Sequence, residues 1–285
     1  PISVINARIS ERSFRGYRRL PRALRWLLPA AAAICAQDEA SATRLAELGV
    51  PADRLRMTGN LKFDNIPTRV AGMREKLGIA TDEWVLVGAS THEGEEAVVL
   101  AAFHMARAAR PDLRLILAPR HPRRRAEVEA AIRAAGLAFA TRSAGAEPDP
   151  ALPVYLADTL GEMDRWYAGA GMTFVGGSLV DRGGHTPFEP AAHGSAILTG
   201  PHVANAVPAY AALLAAGGAV EVTDAASLAE AILRLAGPQA QARQAEAATR
   251  ALAPFTAGPA IAAFLVALSR ETGLPLKGAA DAVQP

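Results

Sequence analysis

The chain has one cysteine, Cys35, in 285 residues. That excludes an internal disulfide and any metal cage built on cysteine, and it fits a reducing compartment. Aromatic residues are scarce, at 5%. No apolar run approaches the ~20 residues that a membrane-spanning helix needs, and no secretory signal opens the sequence. Asp-x-Asp is missing, as is any His/Asp/Glu cluster with ligand spacing, so no metal and no cofactor is expected. No Gly-x-Gly-x-x-Gly follows a strand, which argues against a dinucleotide-binding oxidoreductase. Nor does a methionine come first. Pro1 precedes Ile2-Ser-Val-Ile5, which reads as the inside of a strand, so the expectation is the back portion of a longer protein.

What is present is an ordinary globular composition, 51% hydrophobic and 20% charged, which excludes wholesale disorder. The net charge of +2 hides an asymmetry. Residues 1–60 hold ten Arg against five Asp or Glu, so the positive charge sits at the front of the chain. Seven arginines, Arg8, Arg12, Arg15, Arg18, Arg19, Arg22 and Arg25, are interleaved with Phe14, Tyr17, Leu20, Leu24 and Trp26. On a helical wheel the arginines take one side, and Gly16 and Pro21 predict two short helices. The stretch reads as a solvated basic face or as a surface for anionic lipid. Nucleic acid is not expected, because no DNA-binding motif and no basic balance over the whole chain accompany it.

From Trp84 onward, short β-rich runs alternate with helical spacing. Strands are predicted at Trp84–Val87, Leu115–Leu117, Leu152–Leu156, Met172–Val175, Ala196–Leu198 and Ala219–Val222. Between and after them, helices are predicted at 95–109, 122–135, 161–168, 207–216, 228–235 and 239–252, with another at 259–270 before a loose tail. This is the pattern of a parallel, doubly wound α/β sheet. Residues 1–62 supply about half of a second α/β domain, joined by a linker around 59–68.

Four strand ends carry unusual chemistry. Gly183-Gly-His-Thr-Pro-Phe-Glu189 reads as a helix start, with Thr186 as N-cap, Pro187 at the first helical position and Glu189 closing a capping box. The two glycines ahead of it read as a loop with free amides for an anion. Ser90 and Glu93 form a second potential capping box, in Gly88-Ala-Ser-Thr-His-Glu-Gly-Glu-Glu96. Arg120 leaves a third strand, placed for a phosphate or carboxylate. Asp158-Thr-Leu-Gly-Glu162 opens a short helix. Each is weak alone, but successive strand ends of one open sheet converge on one crevice.

Together with Asn6-Ala-Arg-Ile-Ser10 and Gly59-Asn-Leu-Lys-Phe-Asp64, these segments resemble the 3-deoxy-D-manno-octulosonic acid (Kdo) transferases of Gram-negative lipopolysaccharide synthesis. The resemblance implies a GT-B glycosyltransferase, with a remnant of the acceptor-side domain at 1–62, a nucleotide-sugar-binding domain at 63–252 and a C-terminal helix and tail at 253–285. It implies CMP-Kdo as donor, a lipid A precursor as acceptor and metal-independent transfer at the cytoplasmic face of the inner membrane. The CMP contacts it implies fall on Pro119 and Arg120, on Leu160, Gly161 and Glu162, and on Thr186, Pro187, Phe188 and Glu189. Leu160, Phe188 and Thr186 depart from the family's Met, Leu and Asn. Ser90, Thr91, His92, Gly183, Gly184 and His185 are candidates for the donor sugar or phosphate. Asn6, Arg8 and Lys62 are candidates for the cleft or acceptor side, or for a structural role in the joint. The family's general-base glutamate has no counterpart here, so no catalytic base is assigned. A different nucleotide sugar and a non-catalytic nucleotide-binding module stand as alternatives.

Overall fold

A computed structural model of the chain describes residues 2–20, 27–58, 72–80, 83–235 and 237–255, with 262, 264–266, 268–270 and 273. Two compact units are present, Pro1–Asn65 with Ala253–Pro285, and Ile66–Leu252. Of the sequence-based expectations, Lys62, Arg22 and Arg25, the linker and the tail lie outside the described residues, as does most of the 259–270 helix.

Among the described residues, the smaller unit has three parallel strands, β1 (Ile2–Ala7), β2 (Ala31–Ala36) and β3 (Leu55–Met57), in that order. Helix α1 (Glu11–Tyr17) is capped by Ser10, and α2 (Glu39–Glu47) by Asp38, whose Oδ1 accepts from the Ser41 amide at 2.7 Å. Ala31, Ile34, Ala36, Leu45 and Val50 form the core, and Cys35 is buried beside it. On α1 only Phe14 is buried. Arg12, Arg15, Arg18 and Arg19 are exposed, and so are Tyr17 and Leu20. Asn6, the penultimate residue of β1, has a positive φ of 53°, and Arg8, just past the strand, is exposed.

Among the described residues, the larger unit holds one parallel sheet of seven strands. They are β4 (Val85–Thr91), β5 (Arg114–Pro119), β6 (Phe139–Thr141), β7 (Val154–Leu156), β8 (Met172–Val175), β9 (Ala196–Thr199) and β10 (Ala219–Glu221), ordered β10-β9-β8-β4-β5-β7-β6. Alternation along β4 shows why both faces are covered. Val85, Val87 and Ala89 join Tyr155 and Trp166 on one face, while Leu86 joins Val99, Phe103 and Ile232 on the other. The helices are α3 (Met73–Lys76), α4 (Glu95–Ala109), α5 (Arg125–Ala134), α6 (Met163–Gly169), α7 (Phe188–Ala192), α8 (Val207–Ala215), α9 (Ala225–Arg234) and α10 (Pro238–Leu252). From β4 the chain winds to β5 on one side, and after β7 it crosses to β8 on the other. The switch point is therefore the crevice between β4 and β8, where open sheets bind ligands.

Candidate nucleotide site

A cavity of about 400 Å³ lies at the carboxyl ends of these central strands, lined by Ser90, Arg120, Gly161, Met163, Asp164, Tyr167, His185, Thr186 and Glu189. A larger cavity of about 570 Å³, bordered by Trp84, Gly171 and Gln241, lies at the amino ends of β4 and β8. The smaller one is the candidate site, because in a parallel sheet the loops that carry chemistry leave the carboxyl ends.

Backbone contacts of unusual closeness build its floor. Ser90, the penultimate residue of β4, is in a left-handed conformation, φ 53°, a strained state for a residue with a β-carbon. Gly176, at the end of β8, lies so near that a β-carbon there would come within 2.5 Å of the Ser90 carbonyl oxygen. The Arg120 amide donates to the Thr91 carbonyl at 2.9 Å, which ties the β5 corner to β4 and leaves the guanidinium exposed at the cavity. Pro119 is the buried last residue of β5.

Three local readings need correction. First, the carboxylate that reaches back at the start of α4 belongs to Glu95 and not Glu93. Its Oε2 accepts from the His92 amide at 2.9 Å, while the Glu95 amide donates to the His92 carbonyl at 3.0 Å. Ser90 is thereby free to line the cavity. Thr91 is buried, and its hydroxyl donates to Glu96 at 2.9 Å, so it serves as an anchor.

Second, Thr186 does not cap a helix through Glu189. Helix α7 begins one residue later, with Pro187 in the cap position, and the Thr186 hydroxyl accepts only a long 3.5 Å bond from the Phe188 amide. Phe188 is buried. Pro187 and Pro190 have no N–H, so a five-residue helix offers two amides in its first turn, and its dipole is correspondingly small.

Third, Gly183 and Gly184 are not an open anion loop. The amides of Gly184 and His185 donate to the Gly177 and Gly176 carbonyls at 2.8 and 3.0 Å. On the other side Asn205 donates through Nδ2 to the carbonyls of Arg182 and Gly184, and through its own amide to Gly183. The glycines permit this seam, because a β-carbon on Gly183 would lie 2.7 Å from Asn205 Nδ2. Asn205 gave no signal in the sequence, being twenty-one positions from Gly184.

What the seam delivers is His185. Its Nε2 lies 2.9 Å from Nε2 of His92, with the rings nearly parallel. The imidazole pKa is pushed down to about 4, chiefly by burial, with His92, Arg120 and His121 adding repulsion. His92 is lowered too, again chiefly by burial. On the opposite wall burial, and then Asp164, raises the Glu189 carboxyl, while Arg120 opposes the rise. Met163, Asp164 and Tyr167, none of them singled out in the sequence, complete that wall. Tyr167 stacks against the buried His193 ring.

Gly161, with a positive φ, lines the cavity, whereas Leu160 is exposed. The Glu162 side chain turns to Arg142, which donates at 2.7 and 3.0 Å, and accepts from the Thr159 hydroxyl; the Arg142 bonds hold its pKa down. Among the described residues no group of three His, Cys, Asp or Glu could hold a metal ion.

Comparison with known proteins gives this arrangement its relatives. A family described as 3-deoxy-D-manno-octulosonic-acid transferase (kdotransferase) matches residues 1–65. The 3-deoxy-D-manno-octulosonic acid transferase of Bordetella pertussis is 38% identical over 263 residues, 90% of this chain and 61% of that protein. The Haemophilus influenzae enzyme of the same name is 35% identical over 81% of this chain and 55% of its own length. The chain thus spans about half the length of the curated relatives it matches. The solved C-terminal CMP-Kdo binding domain of WaaA from Acinetobacter baumannii superposes with a TM-score of 0.57 at 28% identity, over 64% of this chain and 99% of that one. The doubly wound sheet is of the GT-B type, and the chain belongs to the 3-deoxy-D-manno-octulosonic acid transferase family.

Proposed function

We propose that the larger unit is the donor half of a Kdo transferase, and that its cavity takes the CMP moiety of CMP-Kdo. One observation carries the reading. Ser90, Arg120, Gly161, Thr186 and Glu189 come from the ends of four strands, β4, β5, β7 and β8, and line one cavity. Arg120 faces the phosphate and meets the charge that develops as CMP departs. Ser90 and the His92–His185 pair stand on the same side, for the phosphate and the Kdo carboxylate next to it. Glu189 and Asp164 accept hydrogen bonds from ribose hydroxyls, and Gly161 lets the backbone approach the nucleotide closely. Pro119, Pro187 and the buried Phe188 shape the wall, and Leu160 and Glu162 hold the Gly161 turn.

The transferred sugar goes to a lipid A precursor at the cytoplasmic face of the inner membrane. The arginines of 8–25 meet anionic headgroups, and Asn6, Arg8 and Lys62 belong to the acceptor side. Binding needs no metal. Because the chain spans only part of its relatives and none of its residues is assigned as base, it binds CMP but transfers little or no sugar alone.

Calorimetry tests the reading directly. CMP is expected to bind, unaffected by EDTA, whereas UMP and NAD bind more weakly. Tight NAD binding, absence of CMP binding, or a Kdo turnover equal to that of full-length relatives would overturn it.

A further inference from the structure

Two acidic residues open helix α4 side by side, and both are buried. Glu96 is matched by the Arg124 guanidinium, which donates to its two oxygens at 2.7 and 3.2 Å. Glu95, with 0% exposure, is held differently. Its Oε2 accepts from the amides of His92 and Gly177 at 2.9 and 2.7 Å, and its Oε1 from those of Ser178 and Leu179 at 3.0 and 2.9 Å. Four amide donors replace the water this carboxyl group lost, where an unsatisfied one would be costly. The same four donors would have no partner if an apolar side chain stood there.

The position of those donors matters more than their number. One belongs to His92 itself. The others follow β8, more than eighty positions along the chain, in the segment whose Gly176 and Gly177 carbonyls receive the amides of His185 and Gly184. Glu95 therefore grips, on one side, the backbone that carries the His92 ring and, on the other, the backbone on which His185 is hung. The two rings meet with centroids 5.2 Å apart and an interplanar angle of 11°, and share one hydrogen bond. A shift of either loop by an ångström would open that bond. His185 lines the cavity with Arg120 and Ser90, so any movement of the pair reaches the wall that faces an anion.

We propose that Glu95 is a positioning residue of the donor site, which fixes through four backbone amides the spacing at which His92 and His185 act as one proton-sharing pair beside Arg120. The proposal rests on the reading of the cavity as the CMP site, and its test separates the two.

The full chain, Glu95→Gln and Glu96→Gln are compared by calorimetry with CMP, by thermal melting, and by long-range ¹H–¹⁵N spectra of the histidine rings without nucleotide. Glu95→Gln is expected to weaken CMP binding by roughly 10- to 100-fold and to change the ring-nitrogen pattern of His92 and His185. Glu96→Gln removes a buried ion pair that lies off the cavity, and is expected to melt lower while keeping the affinity within about twofold and the ring pattern intact. An unaltered ring pattern in Glu95→Gln overturns the proposal. So does an altered pattern with unchanged affinity, or an equal loss of affinity in Glu96→Gln. Should Glu95→Gln fail to fold, His92→Gln breaks the pair without touching the carboxylate, and full CMP affinity in that variant overturns the proposal. If the unaltered chain binds no CMP, the donor reading falls, and the ring spectra alone judge Glu95.

Discussion

Asn205 clasps Gly184, its Nδ2 donating to the glycine carbonyl at 3.1 Å while its own amide reaches Gly183 at 2.8 Å. Gly183→Ala combines a φ of 80° with a β-carbon 2.7 Å from that carboxamide. The expected loss in urea denaturation is about 1–3 kcal/mol. Gly217→Ala is the control, with φ 67° and no atom within 4 Å of the added carbon; strain alone is expected to cost about 1 kcal/mol. Equal losses in the two variants would mean that the seam contributes nothing.

Arg120 contributes its backbone to the fold and its side chain to the cavity. Arg120→Ala is therefore expected to leave the melting midpoint in place and to weaken CMP binding by roughly 10- to 100-fold, the scale of hydrogen bonds to a charged group. Arg120→Lys, which lacks the planar fork, is expected to recover only part of that affinity. A titration curve for Arg120→Ala that overlays the unaltered chain's would remove the arginine from the site.

Stability should fall with acid in a defined window. Unfolded, the His185 imidazole titrates near its usual value, about 6.5; folded, its pKa is about 4. Between these values the unfolded chain holds a proton that the folded one does not. The contribution is complete above about pH 6.5 and is lost as pH drops toward 4. His185→Gln is expected to flatten the melting profile in that interval. An identical slope in the variant would assign the acid sensitivity to other groups.

The exposed arginines in and just after α1, with Tyr17 and Leu20 exposed among them, predict retention on vesicles. Sedimentation with vesicles containing anionic phospholipid should exceed that with neutral vesicles and decline with salt. Replacing Arg12, Arg15, Arg18 and Arg19 by Gln should abolish the difference; equal sedimentation with both vesicles would refute the lipid role.

Legibility followed the range of each interaction. The strands of the larger sheet showed in the sequence because parallel strands buried on both faces are apolar runs, as in Leu115–Leu117 and Met172–Val175. Strand β6 was missed, since Phe139-Ala-Thr141 is short, half-buried and set at the sheet edge. Arg120, Gly161 and Glu189, which line the cavity, stood out in the sequence because each is at a strand end next to turn or cap residues. Their neighbours were not so visible. Glu95 and Glu93 look alike in the sequence, and only the approach of Gly177–Leu179 distinguishes them. Proline and glycine chemistry around residues 183–190 predicted a corner but not its partners: the Gly177 and Gly176 carbonyls take the amides of Gly184 and His185, and Asn205, twenty-one positions beyond Gly184, donates to the corner's carbonyls.

The cavity draws on Ser90 at one extreme and Glu189 at the other, with the whole of β5, β7 and β8 threaded between them. No sub-fragment cut inside that interval can retain the complete wall, so on the proposed reading a chain severed there is expected to lose CMP binding. A bound nucleotide would in turn tighten every loop at once, adding about 2.7 kcal/mol to the unfolding free energy at a hundredfold excess over Kd and slowing proteolysis at corners that never touch the ligand.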